Sequence, residues 1–177
     1  MTPRALGALN RPQNHGPQIL VPEVEPVSPY PTSVASHPFT PLASHAFDEH
    51  AGGLRLRVSA PTLAELFAEA GRALAMLACG GRPPPSPEGE ARPVSLRSHD
   101  RAALLVDWLN ELIYYTEAKG KVWSEFRFTR LTDRDLDASI RGARAPEMRP
   151  PVNAATPRDL KVTETPQGAS ATVVFDV

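Results

Sequence analysis

Cysteine is almost missing from this chain of 177 residues, where Cys79 stands alone. That excludes an internal disulfide framework and any cysteine-rich zinc module, and leaves one thiol expected to pack as a small apolar group in a reducing compartment. Charge of one sign is missing as well. With 19 Lys and Arg against 20 Asp and Glu, the net charge is -1, so no global field recruits an anionic membrane or nucleic acid, and direct nucleic-acid binding is not expected. No stretch approaches the roughly 18 apolar residues of a membrane span. The opening "MTPRALGALN" is too poor in apolar residues for a signal peptide, so a cytoplasmic protein is the expectation. Catalytic templates are absent too: there is no phosphate-cradling glycine loop, no His-Glu-x-x-His and no Gly-x-Ser-x-Gly. The five histidines (15, 37, 45, 50, 99) lack zinc spacing.

Proline, by contrast, is abundant and unevenly placed. Residues 1 to 44 hold nine of the twenty prolines and show neither helical nor strand periodicity. With little apolar surface to offset the entropy of ordering, this segment is expected to be a disordered tail. A folded domain should then occupy residues 45 to 177.

Within that domain the pattern is regular. "LRLRVS", 54 to 59, alternates apolar and polar residues as a half-buried strand does. Thr62 and Glu65 have capping-box spacing, apolar residues recur at intervals of 3 and 4 from Leu63 to Leu77, and Gly80-Gly81 closes the predicted helix. "PVSLRS" suggests another strand. A second helix is predicted from Asp100 to Lys119, ended by Gly120. "VWSEFRFTRL" and "DLDASIRG" alternate again, and "DLKVTETPQGASATVVFDV" reads as two strands around a Thr-Pro-Gln-Gly turn. Two helices on one face of a mostly antiparallel sheet give an α/β (α+β) two-layer sandwich.

The second helix carries "LLVDWLNELIYYTE". Its apolar side chains fill an arc of about 200° at helical spacing, which leaves Asp107, Asn110 and Glu111 on the other side. That trio is expected either to be a solvated face or to meet a partner. Two further acidic places stand near the ends of the domain: "FDEH", with Asp48, Glu49 and His50, and "FDV", with Asp176 beside the Val177 carboxylate. If the first and last strands are neighbours, their oxygens could converge on a hard cation, which takes six to eight oxygen ligands. The alternative is that both are solvated strand ends.

Taken in order, "FDEH", "TLAELFAEAGRAL", "LLVDWLNELIYYTE", "WSEF" and "VVFDV" resemble the archease family over residues 45 to 177. The resemblance implies an accessory protein, not itself an enzyme, that promotes guanylylation and turnover of the GTP-dependent RNA ligase of tRNA splicing. It also implies a divalent cation, calcium or magnesium, held by acidic residues near both chain ends. Asp176, Val177 and Glu49 are the metal candidates here. The family pattern Asp-His-Thr-Ala-Asp-aliphatic corresponds to Glu49-His50-Ala51-Gly52-Gly53-Leu54, so Gly53 stands where the resemblance places a metal aspartate. The family's Lys-Ala-Val-Thr-Tyr-His is Asn153-Ala154-Ala155-Thr156-Pro157-Arg158, which lacks the lysine, tyrosine and histidine. The metal site is therefore read as degenerate. The competing reading is a binding module of the same fold with neither a metal nor a part in RNA ligation.

Overall fold

The structure is a computed structural model that describes residues 42–50, 52–145, 148 and 152–177. The tail assigned to residues 1 to 44 lies outside the described residues except at 42–44, and Ser44 already opens the first strand. Among the described residues nine elements follow: β1 (Ser44–His50), β2 (Gly53–Ala60), α1 (Leu63–Ala78), β3 (Glu88–Arg97), α2 (Arg101–Lys119), β4 (Val122–Leu131), β5 (Asp135–Ala143), β6 (Ala154–Thr165) and β7 (Gly168–Asp176). The fold is α+β. Its strands are divided between two antiparallel sheets, one of order β1-β2-β7-β6 and one of order β3-β5-β4.

Local chemistry fixes the helix ends. The Thr62 hydroxyl accepts from the Glu65 amide at 3.2 Å and donates to the Glu65 carboxylate at 3.2 Å, which satisfies one free donor of the first turn. At α2 the Asp100 carboxylate accepts from the Ala103 amide at 2.8 Å. The helix ends on Gly120 at φ 61°, a left-handed conformation that a side chain would disfavour.

The two sheets share one core through the helices. α1 packs on β1, β2 and β7 of the larger sheet and on β4 of the smaller, while α2 packs chiefly on β6 and also on β3 and β4. Leu56, Val58, Val173 and Phe175 meet Val94, Leu136 and Ile140 in one continuous apolar cluster. Trp108 sits at its centre. It is fully buried, its ring lies 5.4 Å from Phe126 and 5.3 Å from Phe128, and its indole nitrogen donates to the Phe67 carbonyl of α1 at 3.0 Å. Burying each such side chain contributes about 1.5–3 kcal/mol before entropy is counted. Gly71 lets the helices close in. A β-carbon there would stand 2.7 Å from the Phe126 ring and 3.1 Å from Leu112.

Strict alternation fails in β4, among other strands. β4 shifts register between Trp123 and Glu125, and the bulge turns both Val122 and Trp123 inward.

Candidate functional site

The first and last strands of the larger sheet do not pair with each other, but both lie close to β2. β1 pairs with β2, and β2 pairs with β7, so that His50 faces Gly53 and Gly53 faces Asp176. On the far side of β7, Ala154 of β6 faces Asp176, and the Asn153 amide donates to the Asp176 carbonyl at 2.8 Å. The two ends of the domain therefore meet at one edge of one sheet.

Their side chains leave the strands from rows of opposite facing. Residues joined by register share a face, and successive residues of a strand alternate faces. Glu49, Leu54, Phe175 and Ala155 form one row, which faces the helices. His50, Gly53, Asp176 and Ala154 form the next, which faces outward. The register thus sets Glu49 and Asp176, two of the residues expected to meet a cation with the Val177 carboxylate, on opposite faces of the sheet. An opening of about 640 Å³ is lined by Glu49, His50, Gly52, Gly53, Leu54 and Val177, but not by Asp176.

The neighbouring groups are already engaged. Asp48 accepts from Arg55 Nε at 2.7 Å, and its other oxygen lies 2.8 Å from Arg57 Nη2. The second contact is one of charge only, because that buried oxygen receives no well-aimed hydrogen bond. His50 Nε2 lies 3.3 Å from an Asp159 carboxylate oxygen. Since β1 and β6 are opposite edges of the sheet, three strand intervals or about 14 Å separate them in the plane. Asp159 reaches His50 because β6 leaves the ladder between Thr156 and Lys161, with Asp159 itself at φ 53°.

A cation is poorly served by this arrangement. Among the described residues no three His, Cys, Asp or Glu side chains gather as metal ligands. Gly53 supplies no oxygen, and the backbone is built tightly around its lack of a side chain. A β-carbon at position 53 would lie 2.4 Å from the Phe175 carbonyl oxygen, so an aspartate could enter only if β2 and β7 moved apart. The side chains present do not fit the metal that the resemblance implies.

The helix trio divides residue by residue. Asp107 is exposed and accepts a hydrogen bond from the Ser98 hydroxyl. Glu111 is half-buried. Asn110 is partly buried, and its side-chain amide is turned to β6. Its amide nitrogen donates to the Ala155 carbonyl at 3.1 Å and its oxygen accepts from the Ala155 amide at 2.8 Å, which pins β6 beside the residue facing Asp176. A helical wheel shows Asn110 as polar, but the neighbouring backbone makes it an inward-facing clamp.

A family model described as "Archease protein family (MTH1598/TM1083)" matches residues 46–177. The chain belongs to the archease family. It is 32% identical over 140 residues to "Protein archease" of Methanosarcina acetivorans, covering 73% of this chain and 92% of that protein. To "Protein archease" of Methanosarcina barkeri it is 34% identical over 95 residues, 49% of this chain and 65% of that one. Two solved structures share the archease fold. One is the crystal structure of an archease from Thermotoga maritima, described as a possible chaperone, with TM-score 0.52, 23% identity and coverage of 73% and 94% of the two chains. The other is the solution structure of Methanobacterium thermoautotrophicum protein 1598, with TM-score 0.59, 22% identity and coverage of 75% and 98%. No helix of this archease-family chain is long and apolar enough, among the described residues, to cross a membrane.

Sequence reasoning missed Asp159 and the outward role of His50. The signal was there in "TPRDLK", where a proline and an aspartate interrupt an otherwise strand-like run.

Proposed function

We propose that this chain is an accessory protein that promotes guanylylation and turnover of a GTP-dependent RNA ligase in tRNA splicing or RNA repair. What carries the reading is family membership across the whole described domain, from the first strand to the last. The description of the Thermotoga maritima relative as a possible chaperone supports an accessory, non-catalytic role. The ligase would be met as a protein partner.

A second reading has its own support in the glycine at 53 and the divided carboxylates. In it, the chain is a binding module of the archease fold with no metal and no part in ligation. Reconstitution separates the two. Purified GTP-dependent RNA ligase from the same cell is mixed with GTP in the presence and absence of the chain, and covalent guanylylation is followed over time. Faster guanylylation supports the first reading. An unchanged rate, with both proteins folded, overturns it in favour of the module.

A further inference from the structure

The larger sheet has one face against the helices and one face outward. The two outward rows at the Ser44 end, away from His50 and Asp176, carry no carboxylate. Ser44, Ser59, Ser170 and Thr163 form one row across all four strands, in register, with the Ser44 and Ser59 hydroxyls 3.0 Å apart. The next row is Ala46, Arg57, Thr172 and Lys161. Together they open a shallow hollow of about 430 Å³ whose lining contains no Asp or Glu, in a chain with twenty of them.

One of its two cations is unpaired among the described residues and the other shares its partner. Lys161 is exposed and has no ion pair among the described residues. The Arg57 side chain is 60% exposed and shares Asp48 with Arg55, so one carboxylate serves two guanidinium groups. Small hydroxyl side chains around them lose little rotamer freedom on contact and can both donate and accept hydrogen bonds.

We infer that this outward face, from Ser44 of β1 to Lys161 of β6, is the docking surface for an acidic segment of the protein partner. The inference rests on the accessory reading given above. Charge complementarity argues for an acidic occupant, because opposite potentials steer encounter and set register. The lining argues against a nucleic acid. Single strands are held by stacking rings and many phosphate contacts, and here there is no Phe, Tyr or Trp and only Arg57 and Lys161. The face is also separate from the helix side, where Asn110 is spent on β6.

The test uses the full chain and the GTP-dependent RNA ligase of the same cell, with the dissociation constant measured at several salt concentrations. Two outward-face variants, Lys161→Glu and Ser170→Glu, are compared with Glu117→Lys on the exposed side of α2, after thermal melting has shown each to be folded. The expected result is binding by the unmodified chain that weakens about tenfold in Lys161→Glu, the equivalent of about 1.4 kcal/mol, with a flatter salt dependence. Ser170→Glu should weaken it similarly, and Glu117→Lys should not. If both outward variants bind as the unmodified chain does, this surface is wrong while the ligase reading stands. If the unmodified chain does not bind the ligase at any salt, the ligase reading fails and this inference with it. A short single-stranded RNA that binds the chain and is lost in Lys161→Glu would overturn the choice of occupant.

Discussion

Asn110 and Ala155 hold each other by two hydrogen bonds, one in each direction, across 45 residues of sequence. A side-chain amide that completes both backbone groups of a strand residue acts as an extra rung of a ladder. It fixes where β6 lies and, through the facing of Ala154 and Asp176, how the end of the chain is presented.

Asn110→Ala should remove both bonds and leave a buried amide and carbonyl without partners, since Ala155 is 4% exposed. A loss of about 2–4 kcal/mol in chemical denaturation is expected. Hydrogen exchange offers a local check, because the Ala155 amide should lose protection before the amides of α1 do.

Gly71→Ala pits two effects against each other. Alanine favours a helix over glycine by about 0.8–1.0 kcal/mol, but its methyl group would meet the Phe126 ring at 2.7 Å. Overpacking costs about 1–3 kcal/mol and outweighs the helical gain, so the variant should melt at a lower temperature. A rise in melting temperature would mean that Phe126 moves aside freely.

Gly53→Asp reinstates the residue that the family resemblance places at this position. The 2.4 Å approach to the Phe175 carbonyl should make it cost about 1–3 kcal/mol, by prising β2 from β7. Neither calcium nor magnesium at millimolar concentration should stabilise the unmodified chain, and calorimetry should register no heat. Saturable heat with micromolar affinity would show that the carboxylates do converge in solution.

Cys79 is buried, which pushes its thiol pKa above the usual value, although Arg82 pulls the other way. The thiolate is the reactive form. A thiol-exchange reagent at neutral pH should therefore react slowly with the folded chain and at the rate of a free thiol once denaturant is added. Rapid reaction in the native state would contradict the packing of Cys79 against Ala75, Ala78 and Val122.

Both helices were legible because their signals are local. Thr62, Gly80, Asp100 and Gly120 each act within one turn, and the apolar spacing between them does not depend on distant contacts. The α+β class followed from the order of the elements. The division into two sheets did not, because alternation states that a strand has two faces and not which neighbour it takes. The opposed faces of Glu49 and Asp176 depend on the pairing of His50 with Gly53 and of Gly53 with Asp176. A shift of one residue in either pairing would reverse the result, and no composition encodes it. Proximity along the chain does not say which way side chains project, and coordination depends on that.

The detour of β6 between Thr156 and Lys161 also shapes what strangers can do to the molecule. β6 is an outer strand, and an uninterrupted outer strand offers a row of free amides and carbonyls to any passing extended chain. Here Pro157 withholds a donor and Asp159 turns the backbone into the left-handed region, so that invitation is broken midway. The segment that brings a carboxylate to His50 thus also guards a flank against templated aggregation.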